Sequence, residues 1–158
     1  MTRYTDELKI KPAELKNGLK IDRIVESYGL KGVEQEASSV KLRIEFHAEV
    51  VSEEVLVSGN AKGEAVLECY SCNEKFILPV EFRINQSFPS NVEVIGLEEE
   101  IRQLFILNLP DRPLCKDDCK GLCPQCGRNL NTGKCGCRQQ PSLNKWGKLE
   151  ELLKKKQN

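Results

Sequence analysis

An α+β fold is predicted for this chain: an antiparallel β-meander core, one or two helices, and a cysteine-rich C-terminal module. Three observations predict it. Between residues 40 and 88, apolar side chains recur at every second position over several segments, the period of a strand with one buried face. Leu97, Ile101, Leu104 and Phe105 recur at helical spacing. Cys115, Cys119, Cys123, Cys126, Cys135 and Cys137 crowd into one short run near the end.

The clearest strand is VKLRIEFHAEV, where Val40, Leu42, Ile44, Phe46 and Ala48 point one way. Lys41, Arg43, Glu45, His47 and Glu49 point the other. His47 is the sole histidine, and its place on the polar face makes it a solvated strand residue rather than a ligand. A second strand runs from Glu54 to Glu68, with a break or bulge expected near SGNAKG, residues 58–63. A third runs from Lys75 to Phe88, with Phe76, Leu78, Val80, Phe82 and Ile84 on one face. Pro79 inside it cannot donate to a ladder on both sides, so the strand lies at an edge or is bulged. Short connections between the three make a meander. The CYSC segment, residues 69–72, then falls at a hairpin tip.

The helix of LEEEIRQLFILNL follows, with Glu98, Glu99 and Glu100 in its first turn, where the helix dipole favours them. Pro110 stops it. Toward the N-terminus, a short strand at Glu7–Ile10 and a weak helix near Lys20–Tyr28 are expected. At the other end, PSLNKWGKLEELLKKKQN reads as a helix capped by Ser142, with Leu143, Trp146, Leu149, Leu152 and Leu153 as its apolar stripe.

The chain has 158 residues, 39% hydrophobic and 30% charged, enough for one ordinary core and too apolar for a disordered segment. MTRYTDELKI lacks the apolar centre of a secretory leader, and no run reaches the roughly 18–20 apolar residues that span a bilayer. A cytoplasmic location with no membrane partner is therefore expected. Structural disulfides are rare there, so eight cysteines point first to metal, then to redox chemistry, and last to disulfides.

The eight fall into four pairs: Cys69/Cys72, Cys115/Cys119, Cys123/Cys126 and Cys135/Cys137. A pair two to four residues apart gives two ligands from one tight turn, and zinc takes four thiolates in a tetrahedron. CPQCG has the form of a zinc knuckle, with Gly127 permitting an unusual backbone angle. Cys123, Cys126, Cys135 and Cys137 make the most local Zn2+ site, and Cys69, Cys72, Cys115 and Cys119 make a second. One zinc, with the remaining thiols unligated, is the alternative. The expected organisation is 1–109 as a β-rich core with a CxxC hairpin tip, 110–141 as a zinc-knuckle module packed on it, and 142–158 as a basic C-terminal helix. A redox CxxC belongs at a strand-to-helix turn, where a helix N-terminus lowers the thiol pKa. CYSC lies between two strands instead.

An enzyme is not expected. The sequence has no glycine-rich phosphate loop, no G-x-S-x-G, and no histidine beside a nucleophile. Four-cysteine zinc sites are closed, whereas catalytic zinc keeps an open position. No small-molecule substrate is therefore expected. Charge is zero overall but unevenly spread. Residues 1–109 carry 13 Lys+Arg against 19 Asp+Glu, and residues 110–158 carry 11 against 5. The cysteine-rich half is thus the basic half, which suits an anionic partner. Zinc held by four thiolates, at about −2 net, reduces that bias. Lys154, Lys155 and Lys156 have a solvated helix end as their alternative reading.

The hairpin element LECYSCNEKFILPV, the stretch LNLPDRPLCKDDCKGLCPQCGRNLN and the closing CGC resemble the YceD family, the large ribosomal RNA subunit accumulation proteins. The resemblance spans roughly residues 40–150. The family's hairpin pattern reads CxRCL, whereas this chain has Cys69-Tyr-Ser-Cys72-Asn, so the arginine and leucine do not carry over. The resemblance implies a non-catalytic role in large-subunit rRNA accumulation or processing, as a ribosome-assembly factor. The partner would be large-subunit rRNA or a pre-ribosomal particle, and a ribosomal protein is a further candidate. Lys116, Lys120, Arg128, Lys134 and Arg138 flank the knuckles and are the expected RNA contacts. The alternative is a zinc-stabilised protein–protein adaptor without direct RNA contact.

Overall fold

The computed structural model describes residues 7–15 and 20–137. Its elements in chain order are β1 (Lys9–Ile10), α1 (Pro12–Leu15), β2 (Ile21–Tyr28), β3 (Ser39–Val51), β4 (Glu54–Glu68), β5 (Lys75–Pro89), β6 (Ile95–Gly96) and α2 (Glu98–Leu107). The chain divides into two compact units, Met1–Cys119 and Lys120–Asn158. Every named element lies in the first. The predicted helix from Ser142 lies outside the described residues, as does Arg138.

The meander is present, and it has one more strand than the sequence suggests. Strands β2, β3, β4 and β5 form an antiparallel sheet in sequential order. In β3, Val40, Leu42, Ile44, Phe46 and Ala48 are buried, as the alternation requires. His47 sits on the polar face, with Nδ1 2.8 Å from Asp22 Oδ1. The segment near Lys20–Tyr28, expected as a weak helix, is strand β2. The reason is tertiary. Val25 buries against the core, Arg43 of β3 pairs with Glu26 of β2 at 3.0 Å, and Lys20, just before β2, pairs with Glu49 of β3 at 2.9 Å. Cross-strand packing of this kind overrides weak local propensity.

The break expected near residues 58–63 is absent. Strand β4 pairs with β3 from Glu54 to Val66 without a shift in register. Its glycines serve close approach instead. A Cβ on Gly59 would stand 2.2 Å from the Glu45 carbonyl oxygen, and one on Gly63 would stand 2.0 Å from that of Lys41. Pro79 does mark an edge: β5 is the last strand, and its pairing with β4 is continuous. The short N-terminal strand is Lys9–Ile10, paired antiparallel with β6. Arg23 Nη1 ties it to the large sheet by donating to the Lys9 carbonyl at 2.6 Å.

One face of the sheet, together with Leu8, Ile10, Leu15, Leu97, Ile101 and Phe105, forms the core. Burying each large apolar side chain contributes about 1.5–3 kcal/mol. Helix α2 ends at Leu107, with the Asn108 N–H bonded to the Leu104 carbonyl at 3.1 Å, three residues before Pro110. Its exit delivers residues 110–119 to the tip of the β4–β5 hairpin, where the Tyr70 N–H donates to the Pro113 carbonyl at 2.8 Å. Among the described residues, no helix is long and apolar enough to cross a membrane.

Candidate metal centres

The eight cysteines meet in two groups of four. Cys69, Cys72, Cys115 and Cys119 gather in the first unit, and Cys123, Cys126, Cys135 and Cys137 in the second. Within each group all four sulfurs lie within 4.8 Å of one another. Sequence spacing groups them in the same way.

Local structure explains how each CxxC presents its sulfurs. The Cys69 N–H donates to the Glu74 carbonyl at 2.9 Å, and the Asn73 N–H returns to the Cys69 carbonyl at 2.9 Å. In CPQCG, the Cys123 N–H donates to the Arg128 carbonyl at 2.8 Å, and the Gly127 N–H returns to the Cys123 carbonyl at 2.8 Å. The two turns therefore share one hydrogen-bond plan, with donor and acceptor at identical offsets. Both need a left-handed residue just after the second cysteine. Gly127 fills that place at φ 70° and Asn73 at φ 58°. Glycine adopts it without steric cost, and asparagine is among the few other residues that tolerate it. The likeness of CYSCN to CPQCG is hidden in the sequence because Asn73 replaces the glycine. The available signal was the known tolerance of asparagine for this backbone region.

The turns also aim amide N–H groups at sulfur. Burial works to raise the Cys69 thiol, but the N–H groups of Cys115, Ser71 and Cys72 outweigh it and hold the pKa at about 6. The N–H groups of Cys126 and Gln125 hold Cys123 at about 6 in the same way. Each group also contains a thiol pushed the other way. Burial, followed by the nearby sulfurs of Cys119, Cys72 and Cys69, pushes Cys115 up to about 12. The Cys126 sulfur and then burial push Cys137 up to about 12. Four crowded sulfurs cannot all ionise unless a cation joins them. A divalent metal would supply that charge and release protons on binding.

The donor sets fit such an ion. Cys69 and Cys119 sulfurs are 3.7 Å apart, as are those of Cys72 and Cys115, and Cys135 lies 3.4 Å from Cys123. A tetrahedron with Zn–S of about 2.3 Å has edges of about 3.8 Å. These separations are far longer than the roughly 2.05 Å of a disulfide bond. Each group can therefore hold a metal ion through four sulfurs, with every coordination position filled by protein. Such a site is closed and suited to structure. The groups differ in shelter. Cys69 and Cys72 are 1% and 3% exposed, whereas Cys126 in the second group is exposed to solvent.

The basic residues expected to contact RNA divide between the units. Lys116, in the first, is exposed and lies 3.7 Å from Asp118. Lys120, Arg128 and Lys134, in the second, are exposed. Arg128 Nη1 lies 3.4 Å from the Lys134 carbonyl. The Lys120 N–H donates to Asn131 Oδ1 at 2.9 Å, so that backbone is anchored beneath its side chain.

An antiparallel sheet with one four-cysteine centre at a hairpin tip, and a second in a compact unit of its own, defines a cysteine-rich class of protein able to hold metal. Over residues 87–153 the chain matches the family described as Large ribosomal RNA subunit accumulation protein YceD. An uncharacterized protein of Mycobacterium tuberculosis is 33% identical, the match covering 71% of this chain and 62% of that protein. An uncharacterized protein of Mycobacterium leprae is 30% identical, over 71% of this chain and 59% of the relative. The chloroplastic Large ribosomal RNA subunit accumulation protein YCED homolog 1 of Arabidopsis thaliana is 36% identical, over 44% of this chain and 22% of that protein. The chain thus spans about three fifths of the length of the mycobacterial relatives. No solved structure matches it.

Proposed function

We propose that this protein is a non-catalytic ribosome-assembly factor that supports large-subunit rRNA accumulation or processing in the cytoplasm. It binds rRNA or a pre-ribosomal particle, and each four-cysteine centre holds one zinc as a structural ion. The observation that carries this reading is the match over residues 87–153, which takes in α2 and both cysteine runs after it. The names of the plant relatives support the pathway. The closed four-sulfur donor sets support a structural rather than catalytic metal. Lys116, Lys120, Arg128 and Lys134 are the proposed phosphate contacts, and Arg138 joins them by its position in the sequence.

Phosphate contacts release counterions, so each adds to the salt dependence of binding. The slope per contact is about −0.9 on duplex DNA and about −0.7 on single strands. A Lys120→Glu/Arg128→Glu variant is expected to bind a large-subunit rRNA fragment at least about tenfold more weakly at low salt. The slope should flatten by about 1.5, and zinc per chain should not change. Fluorescence anisotropy across a salt series checks this. Unchanged affinity and slope would favour the alternative, an adaptor whose contact is with protein.

A further inference from the structure

Tyr70 is a large side chain left 63% exposed between two buried cysteines. Its backbone is fixed. Its N–H is bonded to the Pro113 carbonyl at 2.8 Å, and the Asn73 N–H closes the turn onto Cys69 at 2.9 Å. The Arg112 guanidinium carbon stands 5.4 Å from the ring centroid. An exposed aromatic on a turn this constrained loses little freedom when something stacks on it. The adjacent guanidinium adds a cation, and arginine serves both as a stacking partner and as a phosphate donor.

We propose that Tyr70 and Arg112 form a stacking platform for an unpaired base of RNA. This deepens the reading of an RNA-binding assembly factor and rests on it. Phosphate contacts by Lys120 and Arg128 carry no sequence information, whereas an aromatic ring stacks on a base within a strand only where that base is unstacked from its neighbour. The platform therefore selects single-stranded or looped RNA. Aromatic stacking typically changes affinity by about 5- to 100-fold per base.

The test uses the full chain with its metal, a fluorescent single-stranded RNA 12-mer, and a blunt RNA duplex of equal length. Tyr70→Ala is expected to weaken 12-mer binding by at least fivefold with the salt slope unchanged, because stacking releases no counterions. Tyr70→Phe keeps the ring and should bind within twofold of the parent. Duplex binding should be unaffected by either change. Zinc per chain and the thermal transition establish that the variants are folded. If the parent binds neither RNA, both the assembly-factor reading and the platform fall. If the parent binds RNA but Tyr70→Ala binds the 12-mer equally well, or loses duplex binding to the same degree, the platform alone is overturned.

Discussion

A Cys126→Ser variant is expected to carry one zinc per chain instead of two, and to lose the fold of residues 120–137 while the sheet survives. The reason is the poverty of that unit without metal. Its described part holds one isolated bridge, Leu122 to Asn129, and a handful of backbone and side-chain hydrogen bonds. Cys123, itself a proposed ligand, is its only buried hydrophobic side chain among the described residues. A segment this short cannot bury enough apolar surface to offset its conformational entropy. Structural zinc supplies about 10–16 kcal/mol of apparent binding energy in finger-sized peptides, so losing one ligand removes most of what orders the segment. Cys72→Ser should act elsewhere. It should release residues 110–119 from the hairpin tip and leave the sheet, whose ladders are long and whose core is apolar. Elemental analysis with hydrogen exchange resolved by segment checks both variants. Global collapse from either change would contradict two separable centres. A chain that keeps native protection at 120–137 after complete chelation would overturn the metal's structural role.

The parts legible in the sequence are those where local chemistry decides. The alternation in β3 needs no partner to be recognised, and cysteines two to four residues apart declare paired ligands wherever the chain carries them. Strand β2 was hidden because its polar residues, Asp22, Arg23 and Glu26, are satisfied only by groups distant in sequence. Asp22 meets His47, Glu26 meets Arg43, and Arg23 reaches the Lys9 carbonyl. Gly59 and Gly63 looked like punctuation because a missing side chain cannot tell a break in a strand from a near approach by the neighbouring strand. Only the register with β3 distinguishes them. Asn73 was opaque for a related reason: its part in the knuckle is a backbone angle, to which the side chain points only weakly.

Gly63→Ala is expected to disrupt the sheet and the first metal centre together, while leaving the second intact. The added Cβ would lie 2.0 Å from the Lys41 carbonyl oxygen and 2.9 Å from the Leu42 Cα. Both are backbone atoms of the paired strand, so no side chain can swing aside. Either β3 and β4 separate locally, breaking the ladder at Leu42–Gly63, or the register slips. A slip by one residue would turn Val57, Ala61 and Leu67 from the core toward solvent. The cost is about 3 kcal/mol, at the upper end for overpacking, a large share of the 5–15 kcal/mol that holds a typical domain together. Because β4 leads directly into Cys69 and β5 starts just after Cys72, disorder in the ladder removes two of four ligands from the first centre. Zinc per chain should fall toward one, and exchange protection should drop across β3–β5 but persist at 120–137. Gly96→Ala is the control, since nothing lies within 4 Å of a Cβ there, and it should be neutral within about 0.5 kcal/mol. A Gly63→Ala protein with parental stability and both zincs would overturn the β3–β4 register and the dependence of the first centre on it.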